Sequence, residues 1–292
     1  MIISNIIGGL GNQMFQYALG RATSIKNNIP LKLDTANYTS YGLHHGFELH
    51  NTFNVNADLA SKADVHSILG WQSSSICKRV LLKSSMSVFR RGKFIVEPYF
   101  HYWDAINNLG NDCYLHGYWQ SEKYFLDIAD QIRQDFIFRQ PISKKNINTF
   151  NNISKVNAVS LHIRRGDYVS NSQNLSIYGL YSLEYYKAAI QYISSKVFNP
   201  HFYVFSDDID WVRLNLRINF PTLYVDHNTG IESYNDMRLM SLCKHNIIAN
   251  SSFSWWGAWL NQYASKIVIA PKKWFANGTD VKDLLPESWV KL

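Results

Sequence analysis

Short apolar runs alternate with helix-like segments through the second half of this 292-residue chain, and this alternation constrains the fold most strongly. Strands are predicted at 157–163, 202–206, 222–225, 246–249 and 267–270, and helices at 183–197, 208–216, 232–244 and 253–263. In the first of these helices apolar residues recur at spacings of three and four, which is the pattern of an amphipathic helix. Strict alternation of this kind predicts a parallel sheet covered by helices on both faces.

The first half begins in a similar way and then becomes irregular. A strand at 2–7, a glycine turn at 8–12, a helix at 13–27 and a strand at 30–34 form a β-loop-α-β start. Residues 37–120 show poor periodicity, and a helix is predicted at 122–138. The polar stretch 141–155 is the best linker, so we predict two α/β domains, 1–150 and 151–292, with a ligand cleft at their interface.

Composition narrows the function classes. A formal charge of +7 suits an anionic ligand, but the basic residues are scattered, and nucleic-acid binding, which would show a steep salt dependence, has little support. The three cysteines lie far apart, which argues against a disulfide framework and a zinc site. No signal peptide or transmembrane segment is recognised, which predicts a cytoplasmic protein and leaves open a peripheral contact with the inner membrane.

The segment His162-Ile163-Arg164-Arg165-Gly166-Asp167-Tyr168 directly follows a predicted strand. In open α/β sheets, ligands bind beyond the carboxyl ends of the strands. A guanidinium group matches phosphate oxygens in pairs and keeps its charge, so an arginine at this position favours a phosphate ligand. The alternative interpretation is a solvated basic turn after the strand.

A second strand end carries small hydroxyl residues. Asn250 to Ala258 follows a predicted strand and opens a helix, so the N–H groups of Ser251, Ser252 and Phe253 could bind an anion. Helix capping and an aromatic core anchor are the alternatives. Phe205-Ser206-Asp207-Asp208 ends another strand, where at least one aspartate is expected to cap the next helix.

Asp236 lies on the predicted helix 232–244 and could accept hydrogen bonds from a guanine edge or a ribose, although a solvated surface aspartate is the better interpretation of that residue alone. Asp208-Ile209-Asp210 has the Asp-x-Asp spacing but not the setting of a diphosphate–metal site, the histidines show no metal-site spacing, and no Walker A motif is present. Without a metal, a diphosphate leaving group would need arginine, lysine and backbone N–H groups to stabilise its charge.

Together these motifs resemble the α-1,2-fucosyltransferases of glycosyltransferase family 11. The resemblance is carried by Gly8 to Tyr17, His162 to Tyr168 and Asn250 to Gly257, in that order along the chain. It implies a GT-B fold, two Rossmann-like α/β domains facing a central cleft, in which the C-terminal half holds GDP-β-L-fucose. The implied reaction is an inverting, metal-independent transfer of L-fucose to the 2-OH of a terminal galactose, in an oligosaccharide or an O-antigen precursor.

The resemblance also implies roles for individual residues. Arg164 would bind the diphosphate and help GDP leave, with His162 and Asp236 beside the guanosine. Ser252 and Phe253, with Ser251 next to them, would offer donors to the phosphates. Asn12, next to Gly11 in the glycine turn, would orient fucose or the acceptor. The acceptor side is predicted to include the stretch Tyr118, Trp119, Gln120 and Glu122, whose aromatic residues either stack on a sugar or belong to the core.

The general base is left open at this stage. An inverting displacement requires a carboxylate or imidazole near the acceptor hydroxyl. Asp167 is the first candidate and Asp34 and Glu122 follow, while Asp167 could equally lock the arginine pair. Two rival functions are a transferase that uses another nucleotide sugar, such as GDP-mannose, and a non-catalytic module that binds glycans or sugar nucleotides.

Overall fold

The computed structural model describes residues 1–39, 45–166, 176 and 181–292. The chain forms two compact units. The first comprises Met1–Arg139 and Lys282–Leu284, and the second comprises Gln140–Val281 and Leu285–Leu292. Asp167, the first candidate for a general base, lies outside the described residues.

The first unit is built on a five-stranded sheet in the order β3-β2-β1-β5-β4, in which every described pairing is parallel. Its strands are β1 (Ile2–Asn5), β2 (Leu31–Asp34), β3 (Asp58–Leu59), β4 (Phe94–Val96) and β5 (Cys113–His116). Its α-helices are α1 (Leu10–Asn27), α2 (Leu49–Thr52), α3 (Lys62–Leu69), α4 (Ser75–Leu81) and α5 (Ala129–Asp135). Short 3-10 turns lie between them at Ala36–Thr39, Gly70–Ser73, Ser84–Phe89, Asp104–Asn108, Glu122–Tyr124 and Leu126–Ile128.

The second unit is built on a six-stranded sheet in the order β11-β10-β9-β6-β7-β8, again with parallel pairings throughout the described part. Its strands are β6 (Asn157–Ile163), β7 (Pro200–Ser206), β8 (Thr222–Val225), β9 (His245–Ile247), β10 (Val268–Ala270) and β11 (Val290–Lys291). Its helices are α6 (Ile147–Ile153), α7 (Leu183–Lys196), α8 (Ile209–Asn215), α9 (Tyr234–Leu242) and α10 (Ser252–Leu260), with a 3-10 turn at Gly230–Glu232.

Each sheet buries apolar side chains against its own helices. In the second unit Val159, Leu161 and Ile163 of β6 pack with Ile190 and Ile193 of α7. The alternation predicted for this half of the chain is therefore confirmed, and the bounds of its helices and strands differ from the prediction by a few residues at most. Among the described residues no helix combines the length and apolar character needed to cross a bilayer.

Two features differ from the sequence prediction. The predicted helix at 122–138 is wrong, because Phe125 (φ −141°) and Ile128 (φ −118°) leave the helical region, so two 3-10 turns precede a short α5. The predicted domain boundary lies between 150 and 151, whereas the two units divide between Arg139 and Gln140. Helix α6, which spans the predicted boundary, packs against α9 of the second unit.

Candidate active site

The candidate site is built first at the carboxyl edge of the second sheet. Because its strands are parallel, the residues that follow them emerge at the same edge. Arg164 follows β6, Asp207 follows β7, and Ser252 begins α10 shortly after β9. The sheet register pairs His162 of β6 with Phe205 of β7, which places the ends of these two strands side by side.

Arg164 is held by Asp207, an interaction that the sequence did not predict. The Arg164 Nη1 and Asp207 Oδ2 atoms lie 3.0 Å apart, with side chains 29% and 23% exposed. The other carboxylate oxygen of Asp207 accepts a hydrogen bond from the backbone N–H of Arg165 at 2.8 Å. A Cβ atom added to Gly166 would lie 2.8 Å from Asp207 Oδ2, so the glycine allows this close approach. The neighbouring strand ends were the only sequence signal for the pair.

Arg165 makes a separate set of contacts. Its guanidinium carbon lies 3.4 Å from the centroid of the Trp211 ring, and its Nε atom lies 3.4 Å from Asp208 Oδ2. Asp208 is also the N-cap of α8 and accepts a long hydrogen bond from the Trp211 N–H. The capping interpretation therefore applies to Asp208, whereas Asp207 binds the Arg164 guanidinium group and the backbone N–H of Arg165.

His162 points into a desolvated environment. The residue is 5% exposed, and its Nδ1 atom has no hydrogen-bond partner within the part of the chain that is described. Burial, with a further contribution from Arg164, lowers the pKa of the imidazole to about 4, against the opposing effect of Asp207. His162 is therefore neutral at physiological pH. Its ring centroid lies 6.0 Å from that of Phe253 at the start of α10.

Helix α10 begins with its N–H groups at this edge. Ser251 is the N-cap residue, but its side chain makes no capping hydrogen bond, which does not support capping as the role of this hydroxyl. The first-turn N–H groups of an α-helix have no acceptor within the helix. Behind this turn Trp255 and Trp256 are fully buried and anchor the helix in the core. The start of α10 is thus rigidly placed and suited to an anion.

A buried amide network ties the C-terminal end of α10 to strands β9 and β6. Asn246 on β9 donates to Ser160 Oγ of β6 at 2.7 Å and accepts from Asn261 Nδ2 at 2.8 Å. Lys266 Nζ donates to the carbonyl oxygens of Ala258 and Asn261 at the end of α10. A cation suits this end of the helix because the last carbonyl groups carry partial negative charge.

Asp236 is not a solvated surface aspartate. Its Oδ1 atom accepts a hydrogen bond from Asn228 Nδ2 at 2.8 Å, and Asn228 exchanges two side-chain hydrogen bonds with Asn146. Both asparagines are buried, so the carboxylate is fixed from behind. Burial raises the pKa of Asp236 to about 7, although the hydrogen bond from Asn228 opposes this shift. The helix that begins here, α9, packs along α10.

The first unit places the glycine turn at its own carboxyl edge. Gly8 has φ +77°, and an added Cβ atom would lie 2.6 Å from Asn12 Nδ2. Helix α1 begins at Leu10, so Gly11 and Asn12 lie in its first turn. Asn12 Oδ1 accepts a hydrogen bond from Gln120 Nε2 at 2.8 Å, which brings two predicted site residues into contact.

The predicted acceptor segment is organised by Glu97, which the sequence did not indicate. The two carboxylate oxygens of Glu97 accept hydrogen bonds from the N–H groups of Tyr118 (2.7 Å) and Trp119 (3.0 Å). Burial raises the pKa of Glu97 to about 7, against these hydrogen bonds. Trp119 is fully buried, whereas Tyr118 is 40% exposed, so of these two rings only that of Tyr118 is presented to solvent. Glu122 is half-buried at the start of a 3-10 turn.

The remaining base candidate, Asp34, has structural contacts. Its carboxylate accepts hydrogen bonds from the Tyr114 hydroxyl at 2.6 Å and the Ala36 N–H at 3.0 Å, and it lies 3.4 Å from Lys78 Nζ. The residue is 3% exposed. In the described ranges no group of three or more His, Cys, Asp or Glu side chains is placed to hold a metal ion.

The sequence of residues 73–292 matches the family model for glycosyl transferase family 11. The chain belongs to glycosyltransferase family 11. This family 11 enzyme is 38% identical over 307 residues to the alpha-1,2-colitosyltransferase of Escherichia coli, covering 100% of this chain and 99% of the relative. It is 34% identical over 306 residues to the O-antigen biosynthesis glycosyltransferase WbnK of Escherichia coli, covering 99% of each.

More distant relatives include fucosyltransferases. Identity to the galactoside alpha-(1,2)-fucosyltransferase 2 of Hylobates lar is 24% over 268 residues, covering 88% of this family 11 chain and 68% of the relative. Among solved structures, the α-1,6-fucosyltransferase NodZ soaked with GDP-fucose aligns with a TM-score of 0.52 at 13% identity, covering 89% of this chain and 91% of NodZ. The two parallel α/β units and this likeness confirm the α/β, GT-B-type fold class.

Proposed function

We propose that this glycosyltransferase transfers L-fucose from GDP-β-L-fucose to the 2-OH of a terminal galactose with inversion at the anomeric carbon. The observation that carries the proposal is Arg164, held beside neutral His162 and the first turn of α10 at one sheet edge. The α-1,2 linkage is named both for the colitosyltransferase relative and for the fucosyltransferase relative. Both relatives therefore support an α-1,2 linkage, whereas they differ in the sugar that their names say is transferred.

The donor is proposed to bind the second unit through its diphosphate and its base. The N–H groups of Ser252 and Phe253, with Ser251 beside them, would meet the phosphates at the start of α10. The Asp236 carboxylate would accept hydrogen bonds from the N–H groups of guanine, with His162 on the guanosine side. A guanine with two adjacent donors matches a carboxylate that is already fixed in orientation by Asn228.

The chemistry follows from this charge arrangement. The acceptor oxygen attacks C1 of the sugar from the face opposite GDP, and the electron pair of the breaking C1–O bond moves onto the β-phosphate oxygen. Arg164 is proposed to stabilise this charge as it develops, without a metal ion. The proton of the 2-OH goes to a base, for which Asp167 remains the first proposal beside its alternative role as a brace for the arginines.

The first unit is proposed to serve the sugar and the acceptor. Asn12 and Gly11 would contact fucose or the acceptor hydroxyls, with Gln120 holding the Asn12 side chain. The acceptor would meet the stretch Tyr118, Trp119, Gln120 and Glu122. Since Trp119 is buried, Tyr118 is the residue of this stretch that we expect to stack on a sugar ring.

Colitose is the second candidate sugar, because the colitosyltransferase is 38% identical over the whole chain. Colitose is fucose without its 3-OH, so the two donors share the diphosphate and the base. The test is a donor screen with GDP-L-fucose, GDP-L-colitose, GDP-mannose and UDP-galactose against β-galactosides, followed by linkage analysis of the product. Transfer from GDP-L-fucose to O2 of galactose is expected. Transfer only from GDP-mannose or UDP-galactose, or donor binding with no release of GDP, would refute the proposal.

The role of Arg164 is tested by Arg164→Ala. We expect turnover to fall roughly 10²–10³-fold, as when a single oxyanion donor is lost. Arg217→Ala, at an exposed site of the same unit, is the matched control and should leave turnover unchanged. Thermal unfolding checks that both variants fold, and near-normal turnover in folded Arg164→Ala would contradict the assignment.

A further inference from the structure

The segment between Val65 and Val96 in the first unit contains basic side chains and no Asp or Glu. Its cations are Lys78, Arg79, Lys83, Arg90, Arg91 and Lys93. These six leave 23 of the 29 Lys and Arg for the rest of the chain, against all 22 Asp and Glu. This segment therefore accounts for six of the seven net positive charges of the chain.

Large apolar side chains are exposed among these cations. On helix α4, Ile76 and Val80 are 70% and 42% exposed, while Leu81 is buried in the core. Arg79 is exposed one residue before Val80, and residues three and four apart lie on one helix face. The 3-10 turn that follows presents Val88 and Phe89, which are 81% and 62% exposed. Apolar and basic groups are thus interleaved on one surface.

This surface is fixed by the fold beneath it. Arg90 Nε donates to the carbonyl oxygen of Leu81 at 2.8 Å, which ties the 3-10 turn to the end of α4. The Arg91 N–H donates to the side-chain oxygen of buried Gln72 at 3.0 Å. The exposed positions of these apolar side chains are therefore set by a braced backbone.

We propose that this basic apolar surface, formed by Ile76, Arg79, Val80, Lys83, Val88 and Phe89, docks the protein on an anionic phospholipid bilayer. Apolar side chains would enter the interface, and cations would lie at the level of the lipid phosphates. Among the described residues neither Arg79 nor Lys83 takes part in an ion pair, so both charges are available to headgroups. A nucleic acid would be attracted by the same cations but would gain little from Val88 and Phe89.

The test is sedimentation of the full chain with vesicles of phosphatidylglycerol and phosphatidylethanolamine, compared with vesicles of phosphatidylcholine alone. The wild type is expected to bind the anionic vesicles preferentially. Arg79→Gln with Lys83→Gln should weaken binding roughly 30-fold, about fivefold for each charge lost. Val88→Ser with Phe89→Ser should weaken it at least roughly tenfold, because two interfacial side chains are lost.

Matched controls remove similar groups elsewhere. Lys62→Gln with Arg217→Gln removes two exposed charges, and Phe198→Ser with Leu214→Ser removes two side chains that are 89% and 86% exposed. Both controls should bind vesicles as the wild type does. The proposal is overturned if the wild type ignores anionic vesicles, or if the Val88 and Phe89 variant binds them normally. Binding to duplex DNA in preference to vesicles, or self-association through this surface in place of vesicle binding, would overturn it as well.

Discussion

The raised pKa of Asp236 makes a prediction that links stability to function. Its carboxyl pKa rises from 3.8 to about 7 in the folded protein, mainly because of burial. Between these two values the folded state holds a proton that the unfolded state has lost, so stability falls as the pH rises through this window and levels off above the folded pKa. The asparagine side chain of Asp236→Asn is neutral at every pH, so this variant does not lose stability for this reason as the pH rises.

The size of the effect follows from the same values. From about pH 5 to the folded pKa of about 7 there are two pH units, each worth about 1.4 kcal/mol, which sets an upper limit near 3 kcal/mol. The side chain is partly exposed, which reduces the effect. We therefore expect the free energy of unfolding of Asp236→Asn, relative to that of the wild type, to increase by roughly 1–3 kcal/mol between about pH 5 and about pH 8. The substituted amide still offers an oxygen to Asn228.

Urea unfolding of both proteins at the two pH values measures this gain. Asp127→Asn, at an exposed site, is the control and should show no comparable dependence on pH. A stability difference that does not grow with pH would refute the reasoning about burial.

The same substitution that stabilises the fold, Asp236→Asn, should weaken the recognition of guanine. The wild type should prefer GDP to inosine diphosphate, which lacks the 2-amino group, and Asp236→Asn should lose that preference, at a cost of about 1.5–3 kcal/mol per charged hydrogen bond. Equal binding of the two nucleotides by the wild type would instead count against the guanine role of Asp236.

Three further substitutions test the supporting structure, each by urea unfolding. Arg165→Ala should cost about 1–2 kcal/mol through loss of the stack on Trp211, and a fall in turnover without loss of stability would contradict a structural role. Gly117→Ala would place a Cβ atom 2.4 Å from Glu97 Cβ and should cost about 1–3 kcal/mol, whereas Gly92→Ala, which meets open space, should be tolerated. Asn246→Ala should cost roughly 2–4 kcal/mol because it leaves several buried partners unpaired, and a near-neutral result would show that the amide network does not stabilise the fold.

The sequence predicted best what is decided locally. Strand β6 has the predicted bounds, 157–163, because a run of apolar and β-branched residues flanked by polar ones specifies a buried strand without reference to distant residues. The helices of the second half follow from apolar spacing in the same way. Residues 37–120 contain several short 3-10 turns and very short strands, and such elements leave too few periods for a pattern to be recognised.

Motifs at strand ends located the candidate site, but not the partners of its residues. Arg164 and Asp207 lie more than 40 residues apart, and only the pairing of β6 with β7 brings them together. Glu97 reaches Tyr118 in the same way through the pairing of β4 with β5. Such contacts depend on which strands are neighbours and in which register, and neither property is encoded in a local pattern.

The paired charges at the carboxyl edge of the second sheet also separate donor affinity from catalysis. Among the described residues Arg164 and Arg165 face Asp207 and Asp208, so these two cations are balanced by two carboxylates. The diphosphate of the intact donor therefore gains little net attraction from these two arginines, and its affinity should come mainly from the N–H groups at the start of α10.

Arg164 can stabilise the charge that develops on the leaving oxygen during the reaction, because its guanidinium group is already oriented and need not reorganise. An interaction that strengthens only in the transition state raises kcat more than it lowers KM. The ion pair with Asp207 is thus a reason to expect that loss of Arg164 lowers turnover while leaving the binding of the intact GDP-sugar donor largely unchanged.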